Sequence, residues 1–79
     1  MKRLRIVERR LGRERAHGQW LRRGVIELDS RLSGYVGLGT LVHELLHECF
    51  PDMSERQVAR AETKISKGIW QMNYRRLAK

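Results

Sequence analysis

The pattern His43-Glu44-Leu45-Leu46-His47 sits inside an apolar run that begins at Leu41, and the run reads as helix. Residues four apart share one helical face, so the imidazoles of His43 and His47 can aim at one metal ion. Glu44 stands about 100° further round and can reach a water on that metal without being a ligand itself. A carboxylate so placed is a general base, and the metal lowers the pKa of the water whose proton it takes. The blander reading is an amphipathic helix with two surface histidines.

No histidine follows His47, so a third protein ligand must be a carboxylate. The motif helix is expected from about Leu38 to Cys49, ended by Phe50-Pro51-Asp52. Cys49 falls on its apolar arc and reads as a small core residue. Ser54-Glu55-Arg56-Gln57 is a capping box that opens a second helix. Val58, Ala61, Ile65, Ile69 and Met72 keep helical spacing through Gly68, to about Arg76. A short connection makes the two helices an antiparallel hairpin. Glu55 then lies beside His47, on the face of Val58 and Ile65. Glu62 lies beside the segment from Gly39 to His43, and Asp52 lies in the loop. Glu55 is the preferred ligand, Glu62 the second choice and Asp52 the third. The plain alternative for Glu55 is a first-turn acid that favours the helix dipole.

Upstream, residues 4–11 fit a short strand, Gly12 to Gly18 a loop containing a lone surface His17, and Gln19-Trp20-Leu21 a second strand. Arg22-Arg23-Gly24 reads as a turn. Val25-Ile26-Glu27-Leu28-Asp29 reads as a third strand with Ile26 and Leu28 inward and Glu27 outward. The fold class is α+β: a small antiparallel sheet followed by two packed helices. Residues 1–79 make one domain. A chain of this length is marginally stable without a staple, and bound zinc could supply one. The single Cys rules out an internal disulfide and suits a reducing compartment. Met1-Lys2-Arg3 is followed by no apolar leader region, and no run approaches a membrane span, so a cytoplasmic protein is expected.

The net charge of +8 is uneven. Residues 1–23 carry nine Lys/Arg against two Glu, residues 24–62 three against seven acids, and residues 63–79 five against none. The acidic middle holds the motif. The basic ends could contact nucleic acid or an acidic partner, or form a solvated face.

The segment from Gly24 to Asp29, followed by the segment from Thr40 to His47, resembles the strand and active-site helix of minimal gluzincin-type peptidases. Glu55-Arg56-Gln57-Val58-Ala59 resembles the segment that supplies their third zinc ligand. The run from His43 to Asp52, with Ser54-Glu55, Trp70 and Tyr74-Arg75, is similar to short phage and prophage proteins described as metallopeptidases. The resemblance covers roughly residues 24–76 and implies His43, His47 and Glu55 as ligands, Glu44 as base and a zincin-like core. In such peptidases the strand before the motif helix can pair its edge with an extended peptide, a role that would fall to residues 25–28. No residue stands out as an oxyanion stabiliser, a role open to Tyr74 or an arginine.

Two functions are therefore carried forward. One is a zinc metallopeptidase acting on a protein or peptide, its missing walls supplied by a partner or by homodimerisation. The other is a zinc-stabilised, catalytically inactive module that binds nucleic acid or an acidic protein through its basic ends. Trp20, Trp70 and Tyr74 serve an interface or the core.

Overall fold

The computed structural model describes residues 3–12, 17–22 and 24–77, with the backbone alone at Arg22. Residues 13–16 of the expected loop and Arg23 of the expected turn lie outside the described residues. Three strands, β1 (Arg5–Arg9), β2 (Gly18–Arg22) and β3 (Val25–Asp29), precede two helices, α1 (Gly34–Cys49) and α2 (Glu55–Gln71). This is the expected α+β order, with the helices packed on each other.

The sheet is mixed rather than wholly antiparallel. Its order is β1-β3-β2, with β3 antiparallel to β2 and parallel to β1. Successive strands alternate in direction, and β3 enters between the first two. It therefore runs with β1 while turning back on β2. Ile26 and Leu28 are buried as expected, but Glu27 and Asp29 are buried as well. A central strand has neighbours on both sides, and they cover its polar side chains. Glu27 accepts hydrogen bonds from Arg9 Nε (2.7 Å) and Gln19 Nε2 (2.7 Å). Asp29 accepts from the Arg31 backbone N–H (2.9 Å) and from Arg31 Nε (2.8 Å), while the Arg31 guanidinium also reaches the Leu11 carbonyl.

Helix α1 begins one turn earlier than expected, because the Gly37 N–H donates to the Ser33 carbonyl (3.1 Å) and starts the helical ladder at Gly34. A Cβ on Gly39 would stand 2.9 Å from Glu62 Oε2, so the absent side chain leaves room for the Glu62 carboxylate. Val42, Leu46 and Val58 form the core between the helices, with Leu38, Met53, Ala61 and Ile69 around it. Leu41 and Leu45 are half-buried, and Cys49, the last residue of α1, is exposed.

Helix α2 opens on the expected capping box. The Gln57 N–H donates to Ser54 Oγ (3.1 Å), and the Ser54 N–H donates to Gln57 Oε1 (2.9 Å). It closes at Gln71, short of Arg76. Asn73 takes φ +65°, its N–H donates to the Trp70 carbonyl, and the Tyr74 N–H donates to that of Ile69. This is a Schellman closure with asparagine in the position glycine usually fills. Among the described residues no helix is long and apolar enough to cross a membrane.

Two stability tests follow from this packing. A Cβ at Gly68 would enter open space inside α2. Gly68→Ala should therefore stabilise the protein by about 1 kcal/mol, raising Tm by roughly 4–8 °C. Asp29 is held well below the ordinary carboxylate range, first by the Arg31 side chain and then by the Arg31 backbone N–H, against the cost of burial. Its contribution to stability is complete above a pH of about 4 and is lost as pH falls toward the depressed folded value. Thermal melts between pH 2 and 7 should show a lower Tm for Asp29→Asn at neutral pH. They should also show a shallower acid slope than in the parent.

Candidate metal centre

His43 and His47 project from successive turns of α1, their rings edge-on with centroids 5.0 Å apart. The first turn of α2 brings Glu55 to both. Its Oε1 lies 3.3 Å from His43 Nε2 and 2.5 Å from His47 Nε2. One ligand atom from each of His43, His47 and Glu55 falls within 4.8 Å of the others, a grouping that could hold a metal ion. The capping box and the five-residue connection position Glu55 here, since they set where α2 starts.

Glu62 lies where the hairpin argument placed it, beside Gly39 and His43, but it is not one of the three clustered donors. Its Oε1 lies 3.0 Å from Nδ1 of His43, the nitrogen turned away from the cluster. Neutral His43 with its proton on Nδ1 donates to Glu62 and keeps the Nε2 lone pair free toward Glu55 and His47. Carboxylates in this position fix the tautomer and orientation of metal-binding histidines. Burial works against a charge on His43. The Glu62 hydrogen bond, with the negative charges of Glu55 and Glu44, outweighs it and raises the pKa. The seven-residue spacing of Glu55 and Glu62, two turns on one face, was the available signal for a paired role. Asp52 is exposed between the helices and is not in the cluster.

Glu44 is buried beside the cluster. Desolvation raises its pKa, opposed by the charges of His43 and His47 and by a hydrogen bond from the Trp20 backbone N–H. That bond reaches from α1 to β2. Glu48 makes a second tie, accepting from Trp20 Nε1 (2.9 Å) and from the Gly24 N–H (2.5 Å). The Trp20 indole is thereby held nearly parallel to the His47 ring, with centroids 6.1 Å apart. Neither Glu48 nor the placement of Trp20 against His47 was visible in the pattern of the sequence.

A cleft of about 460 Å³ opens beside His43, Glu44 and Glu62, with His17, Tyr35 and Thr40 among its other walls. A larger groove of about 920 Å³ runs between the sheet, the start of α1 and the segment after α2, and contains none of the cluster. Tyr74 lines that larger groove and is 69% exposed, so it does not face the site as an oxyanion donor would. Residues 25–28 cannot take an extended peptide on an edge, because β3 is paired on both sides. The open edge next to α1 is that of β2.

Comparison with protein-family models, with curated proteins and with solved structures finds no match to this chain.

The roles of the carboxylates separate in a metal titration. Glu55→Ala should abolish stoichiometric uptake. Glu62→Gln should retain it with about 10- to 100-fold weaker affinity, and Asp52→Ala should match the parent. Gly39→Ala should resemble Glu62→Gln, because the new methyl displaces the Glu62 carboxylate. Chelator competition followed by elemental mass spectrometry reads all four.

Proposed function

We propose that this chain is a minimal zinc metallopeptidase in which His43, His47 and Glu55 hold the metal and Glu44 is the general base. The observation that carries the reading is a buried carboxylate standing beside a three-donor cluster without belonging to it. A purely structural site needs no such group. This favours the enzyme over an inactive zinc-stabilised module.

The donors suit zinc by type and by spacing. Zinc takes imidazole nitrogen and carboxylate oxygen at about 2.0–2.2 Å, which puts neighbouring donors of a tetrahedral site about 3.4 Å apart. The His43–Glu55 distance of 3.3 Å agrees with that, and the 2.5 Å between His47 and Glu55 is shorter and would lengthen to admit the ion. Three protein donors are the number found in catalytic sites. Bound zinc supplies Lewis acidity toward a substrate carbonyl and lowers the pKa of a water.

The chain's own residues do the rest. Glu44 takes the proton of the attacking water on its carboxylate and returns it to the leaving amine. Its desolvated setting makes it a stronger base than a solvated glutamate. Glu62 holds His43 in the tautomer that leaves Nε2 free. The Trp20 contact brings the edge of β2 against Glu44, so a peptide added to that edge would run past the base. The resemblance drawn from the motif residues implies the same reading. With it goes a site of action in the cytoplasm of a host cell.

Glu44→Gln tests the assignment. The variant should carry about one zinc per chain, as the parent does. It should hydrolyse a mixture of fluorogenic peptides at least about 100-fold more slowly. Parent-like turnover in a zinc-loaded Glu44→Gln protein would remove Glu44 from the mechanism.

A further inference from the structure

Helix α2 has a second face that the metal centre does not use. Arg56, Arg60, Lys64 and Lys67 follow one another at intervals of four, four and three residues, and all four are exposed. At about 100° per residue they fall within one narrow strip, roughly opposite Val58, Glu62 and Ile69. Eleven residues of helix make that strip about 16 Å long. The acids of α2 are turned the other way, Glu55 to both histidines and Glu62 to His43. The strip therefore carries one sign of charge.

These cations differ from four arginines elsewhere in the chain. Arg9 pairs with Glu27, Arg31 with Asp29 and Arg76 with Glu8, while Arg75 lies 3.4 Å over the Trp70 ring. Those four are engaged in holding the fold. None of the ion pairs among the described residues includes Arg56, Arg60, Lys64 or Lys67.

We propose that the outer face of α2 is a docking surface for the phosphate backbone of duplex DNA. A duplex carries about one charge per 1.7 Å of axis, so a 16 Å strip runs beside about ten phosphates, of which four cations can neutralise four. The alternatives lack the groups they need. Val58 of α2 is buried against Val42 and Leu46 of α1, and the basic strip itself carries no apolar residue to enter a membrane surface. No aromatic ring stands among the four cations to stack the bases of a single strand. An apolar anchor for the centre of a protein interface is also missing from the strip. B-form DNA presents its phosphate rows on either side of a groove that admits a helix, whereas A-form RNA narrows that groove. Contacts to phosphate alone carry no base readout, so the binding is independent of sequence. The inference does not depend on the peptidase reading.

The test is fluorescence anisotropy with a labelled 24-base-pair duplex of arbitrary sequence, between 50 and 200 mM salt. Arg60→Gln/Lys64→Gln should bind at least about tenfold more weakly at 50 mM and flatten the log–log salt slope by about 2. Arg56→Gln/Lys67→Gln should do the same, which guards against a folding defect in either double variant. Arg3→Gln/Arg10→Gln, which removes equal charge elsewhere, should change both quantities much less. Equal losses in all three double variants, or no binding by the parent at 50 mM, would overturn the proposal. So would tighter binding to a duplex RNA of the same length, or to vesicles of phosphatidylserine and phosphatidylcholine.

Discussion

One imidazole joins the two helices and orients the centre between them. His43 meets Glu55 through Nε2 and Glu62 through Nδ1, and the two carboxylates are two turns apart on α2. That double contact requires the helix axes to lie close, and Gly39 leaves room for the Glu62 carboxylate between them. Its bare Cα admits Glu62, with Ser66 next along the same face of α2. Val42, Leu46 and Val58 close the remaining gap with small and medium side chains. The three groups that could hold a metal ion are therefore not grafted onto a finished core. They are the polar continuation of it, and any change that separates α1 from α2 changes the distances among the donors.

The sheet contributes less apolar burial than bracing. In a chain this short the buried surface is a modest fraction of the total, and three buried or half-buried acids tie the strands to what surrounds them. Glu27 ties β3 to both neighbours, Asp29 ties its end to Arg31 and Leu11, and Glu48 ties α1 to Trp20 and Gly24. Each is more than a surface pair, since the carboxylate is shielded and accepts several hydrogen bonds. The Glu48 tie bears on the centre directly. It sets the indole that stands against His47, while the backbone N–H of the same residue reaches Glu44.

Much of this was legible in the residues, and the parts that were not share a cause. Local signals read largely correctly: the capping box placed the start of α2 at Glu55, and the spacing placed Val58, Ala61 and Ile69 on its inner face, although Ile65 and Met72 of the same series are exposed. The short connection brought Glu55 to the end of α1. What failed was whatever depended on a partner distant in sequence. The contact over Gly39 was not legible because the side chain that fills that space comes from Glu62, 23 residues away. β3 looked like an edge because nothing in Val25–Asp29 says that β1 will return beside it in parallel. Glu27 looked exposed because its cover comes from Arg9 and Gln19. The end of α2 was overestimated for a local reason. Asn73 can take a left-handed conformation, but only the geometry shows that it does.

The same helix thus separates charge by face. Its inner side holds two acids against histidine, and its outer side holds four cations against solvent. The two are roughly a helix diameter apart, about 10 Å, which is about one Debye length at physiological ionic strength. At that distance the outer cations disturb the inner carboxylates little, so each face can keep the charge its chemistry needs. The net positive charge of the chain and the acidic character of its centre are consistent for this reason. Arginines that lie near the buried acids are paired with them, and those of the outer face of α2 are left to act on whatever the protein meets.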